Sequence, residues 1–419
     1  MGLIFLVGNG ASRKNADKKM AKQTVRDIEI AGAKVLVRVD FNVPLAAGEV
    51  ADDTRLRGAL PTLQYLREAG AALILMSHLG RPKGKKVAEM SLQPVAKRLG
   101  ELLGSQVVLA PDCIGEEVEE MARKLSPGQI LLLENLRFYP EEEANDAEFA
   151  RRLAGLGEVY ANDAFGAAHR AHASTEGIVH HVPVAVSGLL MEREICYLDR
   201  ALKEPQRPFV ALLGGAKVSG KIEVIEYLLD KVDALLIGGG MSYTFFKAMG
   251  LEIGASLLEE DCLEVARQVL DRVEGKGGEL LLPVDCVVAR GPLAEAQTQV
   301  VSRKAIAAGW EGVDIGPRTR RLFAERIGRA RTVVWNGPLG VFEIESFAAG
   351  TREVGEALAA ATERGTTISI IGGGDTAAAL SQADLSASMT HISTGGGASL
   401  ECLAGSVLPG VAAIAEKGG

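Results

Sequence analysis

Short, unbroken aliphatic runs recur along the whole chain, and they constrain its fold more than any other feature. They occupy residues 34–39, 71–76, 129–133 and 158–161 in the first half, and 209–213, 232–237, 332–335 and 367–371 in the second. A strand with one wet face alternates apolar and polar residues. These runs do not alternate, so they are expected to be strands buried on both faces of a parallel sheet. Helix-length amphipathic segments lie between them, such as 54–69, 257–273 and 347–362. Strand, helix, strand, helix predicts an α/β protein of doubly wound, Rossmann-like parallel sheets.

A length of 419 residues favours two such domains over one. Residues 187–204 read as a single helix with Leu189, Leu190, Ile195, Leu198 and Leu202 as its apolar positions, stopped by Pro205 and Pro208. The expected organisation is a first domain over 20–186, an interdomain hinge helix over 187–204 and a second domain over 205–404. The tail 405–419 is expected to return to the first domain. Residues 1–19 are a polar, basic appendage, expected to be a flexible extension.

A formal net charge of -8 repels polyanions and argues against a general nucleic-acid or anionic-membrane surface. No stretch reaches the roughly 18 to 20 apolar residues that span a bilayer. Five scattered cysteines fit neither a disulfide framework nor a zinc site, and point to a reducing, cytoplasmic setting.

In open α/β sheets ligands sit beyond the carboxyl ends of the strands. In the first half those ends carry Asp40-Phe41-Asn42, then Arg55, then His78-Leu79-Gly80-Arg81, then Arg137, then His169-Arg170. Arginine's planar fork grips carboxylate and phosphate oxygens in pairs, so this set predicts a site for a small, multiply negative ligand. Asp40 and Asn42 are placed to meet its hydroxyl groups. Four clustered histidines (His169, His172, His180, His181) have no cysteine nearby and few acids. They read as loop residues that help hold an anion and not as metal ligands.

The second half is different. Its strand ends are glycine loops: Gly214-Gly215 with Lys217 and Lys221, Gly238-Gly239, Asn336-Gly337-Pro338, Gly372-Gly373-Gly374-Asp375-Thr376, and Gly395-Gly396. Glycine lets backbone N–H groups approach phosphate, and a helix starting there adds a favourable dipole. No loop completes the dinucleotide fingerprint, because Tyr243 and Leu400 stand where its last glycine belongs. Gly215 to Lys221 mimics a P-loop, but Ile222 replaces the magnesium-holding hydroxyl. Asp375 is then the expected magnesium partner.

Eight blocks resemble phosphoglycerate kinases: KVLVRVDFNVP (34–44), SHLGRP (77–82), LENLRF (133–138), DAFGAAHRAHAS (163–174), GGAKVS (214–219), WNGPLGVFE (335–343), GGGDT (372–376) and HISTGGGASLE (391–401). The resemblance implies reversible, magnesium-dependent transfer from 1,3-bisphosphoglycerate to ADP, giving 3-phosphoglycerate and ATP, in glycolysis and gluconeogenesis. It implies a monomer. It assigns the phosphoglycerate to Asp40, Phe41, Asn42, Arg55, His78, Leu79, Gly80, Arg81, Arg137 and Arg170. It assigns nucleotide phosphates to Gly214, Gly215, Lys217, Lys221 and Gly372 to Thr376, and the nucleoside to Gly238, Gly239, Gly312, Asn336, Pro338 and Glu343. Arg55, Lys217, Gly373 and Gly396 are the expected catalytic set. An NAD-dependent oxidoreductase and a non-catalytic nucleotide-binding protein remain as alternatives. The first lacks its fingerprint, and the second has no need of both Arg55 and Lys217.

Overall fold

The computed structural model describes residues 22–276, 278–291 and 295–417. The extension expected over residues 1–19 lies outside them. The chain forms two compact units. One runs to Cys196 and resumes at Val407; the other spans Tyr197–Ser406.

The first unit holds β1 (Lys34–Arg38), a small hairpin of β2 (Leu45–Ala46) and β3 (Glu49–Val50), then β4 (Ala72–Met76), β5 (Val107–Leu109), β6 (Ile130–Leu132), β7 (Val159–Asn162) and β8 (Val184–Ser187). Six of these make one parallel sheet, ordered β5-β6-β4-β1-β7-β8. The continuous aliphatic runs follow from burial on both faces. Val35, Val37, Leu73 and Leu75 enter one core, while Leu36, Ile74 and Met76 between them enter the other.

The helix Leu189–Lys203 starts on the buried Asp163 carboxylate, which accepts from Leu190 N (2.9 Å) and Met191 N (3.1 Å). Burial pushes that carboxyl up to about 6, against these hydrogen bonds. The final residues pack on this unit through Gln23 N to Ala415 O (2.8 Å) and Asn162 Nδ2 to Gly410 O (3.2 Å).

The second unit repeats the plan with β9 (Phe209–Leu213), β10 (Ala234–Ile237), β11 (Glu279–Leu281), β12 (Asp285–Arg290), β13 (Gln297–Ser302), β14 (Glu311–Ile315), β15 (Thr332–Asn336), β16 (Ile368–Gly372) and β17 (His391–Ile392). Its parallel sheet is ordered β11-β10-β9-β15-β16-β17. The expected pair of doubly wound parallel sheets is therefore present. An antiparallel sheet β13-β12-β14 is an addition that sequence periodicity does not announce, because β13 is exposed and polar.

One expected helix starts late. Residues 257–259 are not helical, and the helix is Leu263–Lys276 after a short turn at Glu260–Cys262. The preceding backbone is bound elsewhere: Ala255 N donates to Trp310 O at 2.8 Å. No helix of the described residues is long and apolar enough to cross a membrane.

Candidate active site

Each parallel sheet reverses its winding direction once, at β1/β7 in the first unit and at β9/β15 in the second. Crevices open at the carboxyl ends of strands at such points. Some of the predicted residues follow the strands there: Asp40 and Asn42 come after β1, Gly214 and Gly215 after β9, and Asn336 ends β15.

In the first unit, Arg55 opens the helix Thr54–Glu68 and donates to Asp40 Oδ2 at 2.8 Å. Asn42 Oδ1 accepts from Gly80 N (2.8 Å), and Arg137 donates to Gly80 O (2.9 Å). Asn42 N also donates to Asp40 Oδ1 (3.3 Å), so Asp40, Asn42, Arg55, Gly80 and Arg137 are tied by direct contacts. Gly80 is needed here: its φ is +63°, and a Cβ would come within 3.0 Å of Met90 Sδ. Phe41 is wholly buried in the core, so only its backbone is available to a ligand. Leu79 is also buried, and Arg81 is exposed.

Two side chains that sequence reasoning passed over organise the loops. Asn135 is fully buried and makes four hydrogen bonds. Its Nδ2 donates to Leu79 O (2.7 Å) and Met90 O (2.9 Å), and its Oδ1 accepts from Leu79 N and Arg137 N (both 3.1 Å). Arg38, the last residue of β1, is buried beneath the site. It donates to Ser174 Oγ (2.7 Å) and faces His78 Nδ1 at 3.1 Å. A guanidinium can only donate, so that nitrogen accepts and His78 carries its proton on Nε2.

Cations crowd this place. Burial, then the charges of Arg38, Arg137 and Arg55, hold His78 well below the ordinary imidazole range, so it is a neutral donor. Burial, then the charges of Arg137, Arg38 and Arg170, bring His172 down to about 4. It therefore forms no ion pair with Glu142, although the two stand 3.9 Å apart. Burial lowers Arg137 too, with Arg38 and Arg170 adding to the effect and Glu143 opposing it. Arg137 Nε lies 3.2 Å from Glu143 Oε1 but off the hydrogen-bond axis, and this buried N–H has no acceptor. Arg170 donates to His169 at 3.1 Å.

In the second unit the glycines permit contacts no side chain would survive. Gly214 N donates to Asn336 O (2.9 Å) and Gly215 N to Pro338 O (2.7 Å). A Cβ on Gly214 would stand 2.2 Å from Pro338 O, and one on Gly239, where φ is +68°, 2.7 Å from Gly215 N. Gly238 meets Leu339, and a Cβ on Gly312 would stand 1.8 Å from the Tyr243 hydroxyl oxygen. The strand bearing Gly312 reaches the loop before Glu343 through Val341 N to Val313 O at 2.9 Å. Glu343 itself is exposed.

The helix Gly374–Gln382 begins at Gly373, whose φ is +89° and whose nearest side chain is that of Asn336. Thr376 Oγ1 accepts from Gly337 N at 2.7 Å. Gly372 also adjoins Ser399 of the helix Gly397–Leu403, which Gly396 precedes. Lys221 points back over Gly215, 3.4 Å from where a Cβ would stand. Burial lowers its pKa, and the charge of Asp375 opposes that. Lys217 and Asp375 are exposed. Among the described residues no group of three or more His, Cys, Asp or Glu is able to cage a metal. One carboxylate beside glycine amides suits a hard cation that takes its other ligands from phosphates and water.

The phosphoglycerate kinase family model matches residues 25–406. A phosphoglycerate kinase of Chloroherpeton thalassium is 57% identical over 397 residues, covering 95% of this chain and 100% of the relative. One from Moorella thermoacetica is 56% identical over 398 residues, with the same coverage. Among solved structures, the phosphoglycerate kinase of Coxiella burnetii superposes with a TM-score of 0.84 at 42% identity, covering 94% of this chain and 98% of that one. That of Pyrococcus horikoshii gives 0.81 at 32% identity, covering 93% and 98%.

Proposed function

Because the chain belongs to the phosphoglycerate kinase family, we propose that it catalyses reversible, magnesium-dependent phosphoryl transfer between 1,3-bisphosphoglycerate and ADP, giving 3-phosphoglycerate and ATP. The chain is a kinase that transfers phosphate. Its direction of use, in glycolysis or gluconeogenesis, its cytoplasmic setting and its action as a monomer belong to the same proposal.

The observation that carries the substrate assignment is the cationic crowd in the first unit. Arg38, Arg55 and Arg137 surround a neutral His78, the charge of Arg170 reaches Arg137, and one buried guanidinium N–H lacks an acceptor. Such a place favours a ligand bearing a phosphate and a carboxylate. In the synthetic direction of the acyl phosphate, a carboxylate oxygen attacks the terminal phosphorus of ATP. The bond from that phosphorus to the bridging oxygen breaks, and ADP leaves with the electron pair. Nothing covalent is asked of the protein, so it works by position and charge.

Arg55 neutralises the migrating group from the acid's side, and Lys217 from the nucleotide's side. The backbone N–H groups at Gly373 and Gly396 stabilise charge as it develops. Asp375 would hold magnesium, which neutralises nucleotide phosphate charge when bound. The two half-sites belong to different units, so transfer needs the units to close and exclude water. The helix 187–204 and the segment 392–394 are the hinge candidates.

An arginine in this role supplies about 10³ to 10⁵ in rate. Arg55→Ala is therefore expected to lose turnover by orders of magnitude in a coupled assay with 3-phosphoglycerate and Mg-ATP, with nucleotide binding nearly intact. Wild-type turnover in that variant would refute the assignment.

A further inference from the structure

The loop after β9 is anchored at two points, and one anchor is a carboxylate that no step above uses. Gly215 fixes the first point, donating to Pro338 O (2.7 Å) and accepting from Met241 N (3.0 Å). At the second, Glu259 accepts from Val218 N, from Ser219 N (3.2 Å) and from Ser219 Oγ (2.5 Å). Lys217 lies between the two points and is exposed.

Glu259 comes from the non-helical segment before the helix Leu263–Lys276, and that segment is itself held. Ala255 N donates to Trp310 O (2.8 Å), Ser256 Oγ accepts from Gly312 N (2.9 Å), and Glu259 N donates to Thr244 Oγ1 (3.3 Å). Gly254 permits the bend with φ of +61°, where a Cβ would lie 2.4 Å from Trp310 O. The carboxylate therefore stands on a fixed support. Burial alone would raise its pKa. The hydroxyl and amide of Ser219, the amide of Val218 and the charge of Lys217 bring it below the ordinary carboxylate range, so it is ionised at working pH. Hydrogen bonds to an ionised acceptor are the strong kind.

We propose that Glu259 is a positioning residue for phosphoryl transfer: its carboxylate fixes the backbone of Val218 and Ser219, and thereby the place from which Lys217 reaches the migrating phosphoryl group. This rests on the assignment of Lys217 made above. Lysine is a point charge on a flexible stem, so its usefulness depends on how firmly its own backbone is placed.

A carboxylate with a merely structural role would lower stability and affect every variant alike. The test is a double-mutant cycle on kcat with Lys217→Ala, Glu259→Ala and the pair, accompanied by melting temperatures. We expect Glu259→Ala to lower kcat about tenfold with the KM for 3-phosphoglycerate unchanged, and Ser219→Ala about threefold; in the Lys217→Ala background, Glu259→Ala should change kcat by less than about twofold. Equal losses in both backgrounds would overturn the proposal, as would a Glu259→Ala enzyme within about twofold of wild type. Should Glu259→Ala fail to fold, Glu259→Gln keeps the shape, removes the charge and is judged by the same comparison. If Lys217→Ala alone retains full kcat, the Lys217 assignment falls and this inference with it. That outcome is distinct from one in which Lys217 matters and Glu259 does not.

Discussion

Replacing Asn135 by alanine removes four hydrogen bonds from a side chain with no exposed surface. Leu79 loses the partners of both its N–H and its C=O, Met90 loses one for its C=O, and Arg137 loses one for its N–H. A buried polar group left without a partner costs about 1–3 kcal/mol. Water can enter the space vacated by the amide, so the lower end applies to each group. Four such groups give about 4 kcal/mol. At about 2–4 °C per kcal/mol for a unit of this size, the melting temperature should fall by about 8–16 °C.

Calorimetry measures the shift. Both tryptophans, Trp310 and Trp335, lie in the other unit, so their fluorescence serves as an internal control for damage there. The same side chain fixes the loop bearing His78 and Gly80, and small misplacements of binding groups are costly. The KM for 3-phosphoglycerate should therefore rise about tenfold, with the nucleotide KM unchanged. Asn135→Asp should be no better, since it turns two donors into an oxygen facing the Leu79 and Met90 carbonyls. A melting shift below about 2 °C together with an unchanged KM would refute the idea that Asn135 clamps these loops.

Two further outcomes are expected. Asp314 is almost fully buried, and burial pushes its carboxyl up to about 7 from 3.8, against the Gly350 amide, Arg320 and the Ile315 amide. The folded state then keeps a proton that the unfolded chain releases. Stability of the second unit should fall as pH rises from about 4 to 7, by up to about 1.4 kcal/mol per pH unit, and level off above. Urea unfolding followed by tryptophan fluorescence reads this, and an undiminished slope in Asp314→Asn would assign it to another group. Solution scattering should show a smaller radius of gyration with both substrates bound than with either alone; no contraction would count against closure.

What was legible in the chain, and what was not, divides along one physical line. A strand buried on both faces is apolar through its centre, so β1, β4, β9 and β15 declare themselves locally. A glycine whose absent Cβ admits a neighbouring carbonyl, as at Gly214 against Pro338, leaves its mark at a strand end. The glycine loops, like the strands, could therefore be placed without coordinates.

Polar partnership leaves no local mark. Arg38 sits inside an apolar run, and its partner Ser174 is 136 residues away. Asn135 looks like an ordinary loop amide until Leu79 and Met90 come to it from more than 40 residues off. Glu259 resembles a first-turn helix acid, and its segment invites a helix from 257. The helix instead begins at Leu263, because the preceding stretch is taken up by Trp310, Gly312 and Ser219. The groups proposed to touch a ligand lie at strand ends and can be read from there. The groups that hold them still are chosen by long-range pairing, and only the folded structure reveals them.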